Sequence, residues 1–435
     1  MANRVVITGM GLICPMGHDV ETVWEGMLTG KDGFNETTIF DASTFPTKFS
    51  AEVKGFELTK HIATADKHEG TLRSTQFALA AAAQACKQAG IEIESEAPSD
   101  GVNRRRMGIY MGSGEGPIDH DTFFAAIAGS YSEDGTIPDW QKWTEITDKT
   151  MNGKRELEEE PNIPAGHIAV LTGARGPVRT CLTACAASTQ AIGEASHMLR
   201  AGRADVMIAG GSHSMIHPLG ITGFNKLTAL SERNDDLHHA SRPFTKSRDG
   251  FVIGEGSAII VLETLESARK RGAKILAEVV GYGSTCDAFR VTDMHEEARG
   301  GSGAIRRALE DAGIEHTAIG YINAHGTSTS ENDKIETRAI KNVFGEDAYT
   351  TPVSSTKSML GHLIGSAGAA ELIICVLALR NGILPPTANY CEPDPDLDLD
   401  YIPNEPRKSD IEYAMSESFG FGGQNDVVIV KKYKD

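Results

Sequence analysis

Cys185 is the first residue whose setting suggests chemistry. It follows an apolar segment that predicts a strand, and it opens a run of small residues that predicts a helix. A thiol at a helix N-terminus is favoured as the thiolate, because the macrodipole and the free backbone amides stabilise negative charge there. Taken alone, Cys185 would more often be a small buried residue, so a nucleophile needs further support.

Two histidines supply that support. His325 lies in the segment NAHGT and His362 in the segment LGH, each at the end of a predicted strand or helix. Such ends gather at one edge of an α/β sheet, where ligands bind. One cysteine and two histidines that meet there would suit chemistry on a thioester. The thiolate would take the acyl group, and the imidazoles would stabilise an oxyanion or an enolate.

The elements that must position these residues occur twice. Each half contains a helix, a strand, a segment leading into a small-residue helix, and a late strand. Their positions are 77–89, 107–111, 178–185 and 206–209 in the first half and 303–312, 319–323, 353–357 and 427–430 in the second. Helices alternating with short β-branched strands indicate βαβ units and buried parallel sheets. The sequence therefore predicts two related α/β halves, joined near 265–272.

The segment 131–160 does not fit this repeat. It contains Trp140, Trp143 and the charged run KRELEEE. We expect a partly helical surface insertion there. It would be either a solvated charged flap or a lid or oligomer contact that shapes the site.

Composition excludes several classes of protein. The chain has 435 residues, 40% apolar and 23% charged, which is typical of a globular protein with a large core. No apolar run approaches the ~18 residues that span a membrane, and the start lacks the features of a signal peptide, so we expect a cytoplasmic protein. The net charge of −18 argues against nucleic acid as a partner. Seven scattered cysteines without a C-x-x-C pair support neither a disulfide framework nor a zinc site.

Two other catalytic motifs are incomplete. The segment VVITGMG begins like a dinucleotide-binding turn, but Pro15 and Met16 stand where its third glycine and its helix should begin. The chain contains no G-x-S-x-G nucleophile elbow, which excludes that class of serine hydrolase.

The chain resembles β-ketoacyl-[acyl-carrier-protein] synthases of the elongating type, particularly the synthase II branch. The resemblance runs over nearly the whole length. Its segments are VVITGMGLICPMG (5–17), SRPFTKSRDGFVIGEG (241–256), NAHGTST (323–329), SSTKSMLGHLIGSAG (354–368) and SFGFGG (418–423). It implies the thiolase fold, a duplicated five-layered αβαβα body, with an N-terminal half at 1–267 and a C-terminal half at 268–435.

The resemblance also implies catalytic roles. Cys185 would be the nucleophile that accepts the acyl chain, and His325 and His362 would complete a Cys-His-His triad. Lys357 would organise the site, with Glu336 as its carboxylate partner.

Further roles concern the substrate. Phe421 would gate the site, and the backbone amides of Cys185 and Phe421 would form the oxyanion hole. Thr327 and Thr329 would hold the phosphopantetheine arm, and Phe419 would also bind substrate.

The implied reaction is a decarboxylative Claisen condensation. An acyl chain on Cys185 would react with malonyl-[acyl-carrier-protein] to give 3-oxoacyl-[acyl-carrier-protein], with no metal or redox cofactor. The expected partners are the acyl-carrier protein and, as a homodimer, a second copy of the chain.

Three departures from the family pattern bear on specificity. The active-site segment reads TACAAS where T-A-C-x-[ST]-[GS] is usual, and 131–160 replaces a segment that helps to line the acyl pocket. The segment ADKHE at 65–69 stands where a Lys/Arg-rich docking helix is common, so we expect a specialised carrier protein or another docking patch. The run 104–106 is a candidate for that patch, or equally a solvated turn. These departures suggest an accessory fatty-acid or polyketide pathway.

Three alternatives remain. A thiolase needs a second catalytic cysteine in a C-x-G setting, whereas Cys391 stands in YCEP. A chain-length-factor subunit would lack the nucleophile at Cys185. A malonyl decarboxylase would use the same site without condensation.

Overall fold

The computed structural model describes residues 3–114, 119–131 and 135–434. Its strands are β1 Val5–Ile13, β2 Asn35–Glu36, β3 Phe49–Ser50, β4 Met107–Gly112, β5 Val178–Cys181, β6 Val206–His213, β7 Gly256–Thr264, β8 Ala277–Cys286, β9 Ile319–Asn323, β10 Val353–Ser354, β11 Ile383–Leu384, β12 Arg407–Lys408, β13 Tyr413–Gly420 and β14 Gln424–Lys431. Its α-helices are α1 Val20–Leu28, α2 Arg73–Ala89, α3 His120–Ser130, α4 Trp140–Thr150, α5 Gly153–Glu158, α6 Ile163–Thr172, α7 Ala187–Arg200, α8 Pro218–Lys226, α9 Leu265–Lys270, α10 Arg299–Ala312, α11 Ser330–Phe344, α12 Lys357–Leu360 and α13 Ala367–Asn381.

The two halves have the same strand order. The first half forms the sheet β5-β4-β6-β7-β1 and the second half forms β10-β9-β13-β14-β8. In each half the first three strands of this order run parallel to one another. Each of the remaining two strands is antiparallel to the strand before it. The sheets join through a short antiparallel contact between β1 and β8. The helix α9 connects the halves, and the predicted boundary between residues 267 and 268 falls within it.

The molecule has five layers, and its three largest apolar cores lie at their interfaces. The helices α7 and α13 lie between the two sheets and pack against one face of each. The helices α2 and α6 cover the other face of the first sheet, and α10 and α11 cover the other face of the second. Side chains alternate along β7: Ile260 faces the central helices, whereas Ile259 and Val261 face α2. The predicted duplicated αβαβα body is confirmed.

One of the predicted correspondences is wrong. The strand at 206–209 lies in β6, whose counterpart is β13, and the strand at 427–430 lies in β14, whose counterpart is β7. The sequence hid β13 because its centre carries three consecutive buried polar residues, Ser416, Glu417 and Ser418. A hydropathy pattern does not predict such a segment as a core strand.

The described part of the segment 131–160 contains the helices α4 and α5, as predicted, while residues 132–134 lie outside the described residues. Lys154 Nζ donates a hydrogen bond to the carbonyl of Glu69 (3.0 Å), and His167 bonds to Glu158 (3.1 Å). These contacts anchor α5 to the body of the molecule.

The stretch Ile364–Asn381 is long and apolar enough to cross a membrane, but 89% of it is buried inside the molecule. Its place between the two sheets makes it a core helix.

Candidate active site

Cys185 lies in a tight turn between β5 and α7. The turn spans Ala184–Ala186, and Ala184 has a left-handed backbone with a φ of +49°. The second half repeats this turn at Ile364–Ser366 before α13, where Ile364 has a φ of +47°. Left-handed conformations cost free energy for residues with a side chain and are concentrated at functional sites. Here the strained turn presents the Cys185 side chain at the carboxyl edge of the first sheet.

The two histidines come from the second half and meet Cys185 at this edge. His362 Nε2 lies 3.1 Å from Cys185 Sγ, and the rings of His325 and His362 pack edge to face with their centroids 5.3 Å apart. Reactive atoms of all three residues lie within 4.8 Å of one another. The structure therefore brings together the three residues predicted to form the triad, all of them buried.

Hydrogen bonds define the tautomers of both histidines. The amide of Ile364 donates to His362 Nδ1 (3.2 Å), so the neutral ring carries its proton on Nε2, which faces the sulfur. Lys357 Nζ lies 3.3 Å from His325 Nδ1, which leaves the proton of that ring on Nε2. Burial, followed by the Lys357 ammonium, lowers the pKa of each histidine well below its usual range. Both imidazoles are therefore neutral hydrogen-bond donors.

The Cys185 sulfur is held as a thiol at rest. Burial raises its pKa to about 12, against the lowering effects of Lys357 and of the backbone amides of Cys185 and Phe421. The expectation that a helix N-terminus would favour the thiolate is wrong for the resting state, because desolvation of the charge outweighs these contacts. The backbone amides of Cys185 and Phe421 lie at the sulfur, and these are the two amides that were predicted to form the oxyanion hole.

Lys357 is paired with a residue that the sequence did not identify. Its Nζ donates to Glu371 on α13 and to the carbonyl of His325 (2.6 Å). The predicted partner, Glu336, is therefore wrong in that role. One signal could have found Glu371: it is the only charged residue in the otherwise apolar stretch 367–379. A carboxylate in such a helix needs a buried partner.

Glu336 instead holds the turn that carries His325. Its carboxylate accepts the amides of His325 (2.6 Å) and Gly326 (2.7 Å). Asp333, one helical turn earlier on α11, accepts the amide of Ser328 (3.1 Å). Gly326 is required here, since a Cβ at this position would lie 2.4 Å from Ser355 Cβ.

Two cavities meet at Cys185. The first has a volume of about 240 Å³ and is lined by the triad together with Thr327, Thr329 and Phe419. The hydroxyls of the two threonines are 2.9 Å apart. The second has a volume of about 590 Å³ and its lining includes Leu182, His213, Met215, His217, Leu219 and Ile364. Phe421 and Cys185 line both cavities, so Phe421 lies where a gate between them would be.

Two of the three arginines in the candidate docking patch at 104–106 are held in ion pairs. Arg104 is buried and pairs with Asp100 (2.6 Å), and Arg106 pairs with Asp205 (2.7 Å). The run also precedes β4, whereas Cys185 lies beyond the carboxyl ends of β4 and β5. The length of a six-residue strand, about 20 Å, separates the two edges. The segment 65–69 forms a 3₁₀ turn in which His68 is buried.

Two family descriptions match the chain in succession. Residues 2–268 match the beta-ketoacyl synthase N-terminal domain, and residues 276–391 match the beta-ketoacyl synthase C-terminal domain.

Curated relatives match over the full length. A 3-oxoacyl-[acyl-carrier-protein] synthase 2 of Staphylococcus aureus (strain COL) is 43% identical over 99% of both chains. A protein of the same name from a Synechocystis species is 42% identical over the whole of both chains.

Solved structures match over the same range. A beta-ketoacyl synthase from Burkholderia phymatum superposes with a TM-score of 0.87 and 33% identity, over 99% of this chain and 100% of that one. A second neighbour, described as a type II PKS acyl-carrier protein in complex with its ketosynthase bound to the hexaketide, gives a TM-score of 0.86 at 32% identity over the whole of both chains.

Proposed function

Because this chain belongs to the β-ketoacyl synthase family, and is thus a condensing acyltransferase of fatty-acid or polyketide synthesis, we propose that Cys185, His325 and His362 carry out its condensation. One observation carries the assignment. His362 Nε2 lies 3.1 Å from a Cys185 sulfur that also receives the backbone amides of Cys185 and Phe421. This is the arrangement that a thioester exchange requires.

In the first step the Cys185 sulfur attacks the carbonyl carbon of an acyl thioester. A bond from sulfur to the acyl carbon forms, the bond to the carrier thiol breaks, and the departing thiolate takes up the cysteine proton. The amides of Cys185 and Phe421 stabilise the negative oxygen of the tetrahedral intermediate. Because burial raises the pKa of the thiol, we propose that it gives up its proton during the exchange itself.

In the second step malonyl-carrier protein loses carbon dioxide. The electron pair of the broken carbon–carbon bond moves onto the thioester oxygen, and the Nε2–H groups of His325 and His362 stabilise the enolate. The enolate carbon then attacks the acyl-Cys185 thioester and expels the Cys185 thiolate, which yields a 3-oxoacyl-carrier protein. The thiolate takes up a proton from solvent to restore the resting thiol. Neutral donors suit this step, since the pKa of both rings is lowered by burial and by Lys357.

We assign the smaller cavity to the phosphopantetheine arm and the larger one to the acyl chain. The Thr327 and Thr329 hydroxyls line the first, as polar contacts for an amide-rich arm require. The lining of the second is mostly apolar, and Phe421 would have to move for both to be filled at once. The carrier protein therefore docks on the side of the first cavity and away from the 104–106 run.

We propose that the working form is a homodimer in the cytoplasm. The strand β5 is the edge of the first sheet, with Val178 42% exposed and the adjoining Leu182 54% exposed. Leu182 also lines the larger cavity, so a second copy paired along β5 would cover that cavity. All seven cysteines are free thiols, which supports a reducing compartment.

Intact-mass spectrometry tests this proposal. The protein is incubated with acyl-carrier proteins of several chain lengths, with acyl-coenzyme A in parallel. We expect an acyl mass on the wild type and on Cys391→Ala, a variant of an exposed cysteine, and none on Cys185→Ala. The preferred chain length would indicate the pathway. No acylation from any donor, with folded protein, would overturn the exchange step and favour a malonyl decarboxylase or a partner subunit.

A further inference from the structure

A buried carboxyl group beneath the His325 turn has no part in the proposed mechanism. Glu417 is the fifth residue of β13, and none of its surface is exposed. It pairs with Val427 of β14 and follows Ser416, which pairs with Asn323 at the end of β9. The His325 turn begins directly after β9, so Glu417 lies next to it in the sheet.

The alternation of side chains along β13 shows which layer Glu417 faces. Met415 packs in the core shared with α10 and α11, and Glu417, two residues further on, lies on the same face. Ser418 faces the other way and bonds to Thr189 on α7 (2.7 Å). On its own side, Glu417 meets the carboxyl group of Glu336 on α11.

Within the described ranges, the nearest cations to this pair of carboxyl groups are engaged by other carboxylates. Among the described residues, no group donates a hydrogen bond to either oxygen of Glu417. Lys357 on α12 is engaged by Glu371 on α13, and Arg248 lies 2.8 Å from Asp394 and 3.6 Å from Asp333. Two carboxyl groups in contact in such a place cannot both ionise without a large cost in free energy.

Glu336 connects this pair to the catalytic turn. Its two oxygens already accept the amides of His325 and Gly326, and Asn332 Nδ2 lies 3.2 Å away. We propose that Glu417 retains its proton at neutral pH and donates it to Glu336, and so acts as a positioning residue for His325. This inference depends on the catalytic role of His325 proposed above.

The electrostatics of the neighbouring groups agree with the geometry. Burial, followed by Glu336, raises the pKa of Glu417 well above its usual range. Burial, together with Asp333, raises the pKa of Glu336 to about 7, against the lowering effects of the Gly326 amide, Lys357 and the His325 amide. A raised pKa means that the folded state favours the form in which Glu417 and Glu336 share a proton. The hydrogen bond that helps to position His325 is therefore present at lower pH and is lost as pH rises through the apparent pKa of the pair.

The test measures kcat and KM against pH for the wild type, Glu417→Gln and Glu417→Leu. The exposed Glu412→Gln, next to the start of β13, is the matched control. Glutamine donates a hydrogen bond but cannot ionise, so we expect the alkaline loss of kcat to move up by about one pH unit or more. Leucine donates nothing, and we expect about a tenfold loss of kcat at pH 7 with KM little changed. An alkaline limit shared by the wild type and Glu417→Gln would overturn the proposal.

Infrared spectroscopy supplies a readout that does not depend on activity. We expect a protonated-carboxyl band in the wild type at about pH 8.5, where Glu371 and Asp426, with pKa values of about 7 and about 6, are ionised. The band should disappear in Glu417→Gln. Its absence from the wild type at pH 7 as well as at about pH 8.5 would overturn the proposal even if the variants do not fold. A wild type that carries the band but does not condense would instead contradict the proposed function.

Discussion

At the scale of single residues, the protonation states of the catalytic groups depend on burial as much as on their hydrogen-bond partners. Burial holds both histidines neutral, keeps the Cys185 thiol protonated and raises the pKa of Glu371 to about 7. A neutral imidazole is what enolate stabilisation needs, whereas a protonated thiol must be activated by the approach of substrate. The same low-dielectric pocket therefore assists one step and delays the other.

The first prediction concerns the Cys185 thiol. Because burial raises its pKa to about 12, its rate of alkylation by iodoacetamide should rise about tenfold per pH unit between pH 7 and 9, without a plateau. Peptide mass mapping after timed alkylation separates Cys185 from the exposed Cys286 and Cys391. A plateau near neutral pH would contradict the prediction and show that the helix N-terminus dominates.

The second prediction concerns the ion pair of Lys357 and Glu371. The variant Glu371→Ala leaves a buried ammonium without its carboxylate, which should lower the free energy of unfolding by about 3–5 kcal/mol. Denaturant unfolding measures this change. Glu310→Ala, on the exposed side of α10, should stay within about 0.5 kcal/mol of the wild type. Equal stability of the two variants would mean that Lys357 finds another partner.

At the scale of elements, the site depends on close approaches between backbones. The nucleophile turn comes from the first half and the histidine segments from the second, and α7 and α13 pack side by side between the sheets. Small residues make this possible. A Cβ at Gly368 on α13 would lie 1.8 Å from Thr189 Oγ1 on α7.

The third prediction concerns Gly112 at the end of β4. A Cβ there would lie 2.4 Å from the backbone of Ala187 and Ser188, where α7 begins. Gly112→Ala should push the start of α7 and displace Cys185 from His362. Because a shift of about 1 Å can reduce catalysis about 100-fold, we expect a loss of that size in kcat.

The control for this variant is Gly166→Ala on α6, where an added Cβ meets nothing within 4 Å. It should keep full activity and gain up to about 1 kcal/mol of stability, since alanine favours helix. Steady-state rates measure the activity of both variants, and thermal unfolding measures their stability. A fully active Gly112→Ala protein would show that the position of Cys185 does not depend on the close approach of Gly112 to the start of α7.

At the scale of the whole molecule, the duplication creates a site that neither half contains. Each half supplies one side of the region around Cys185, and Leu182, which adjoins the edge strand β5, lines the larger cavity. An edge strand with free backbone groups is prone to pair with another chain, and β5 also exposes the apolar side chain of Val178. The proposed homodimer would use this edge and complete the wall of the cavity.

The fourth prediction tests that arrangement. Val178→Asp puts a charge on each copy of β5, and the two charges would face an apolar interface. We expect the variant to be monomeric by light scattering, while the wild type is a dimer. Val291→Asp, at a site 78% exposed and remote from β5 in the sequence, should remain dimeric. A monomeric wild type would refute the proposed dimer, and a dimeric Val178→Asp would place the interface elsewhere.

Several features followed from the sequence by itself. The small-residue run after Cys185 and the two histidine segments indicated thioester chemistry, and the repeat indicated two α/β halves, because apolar periodicity and glycine placement are local properties of a chain. The strand β9 was predicted with the bounds that the structure gives it, Ile319–Asn323. The strand β13 was missed because its buried polar residues serve the site and break the apolar pattern.

Only the tertiary structure decided which charges meet. The family resemblance assigned Glu336 to Lys357, whereas the fold pairs Lys357 with Glu371 and places Glu336 on the His325 turn. Likewise, the position of Cys185 before a helix favoured a thiolate, but the depth of its burial reversed that expectation. Pairing and desolvation depend on distances between residues far apart in the chain, and those distances exist only once the two halves have packed against each other.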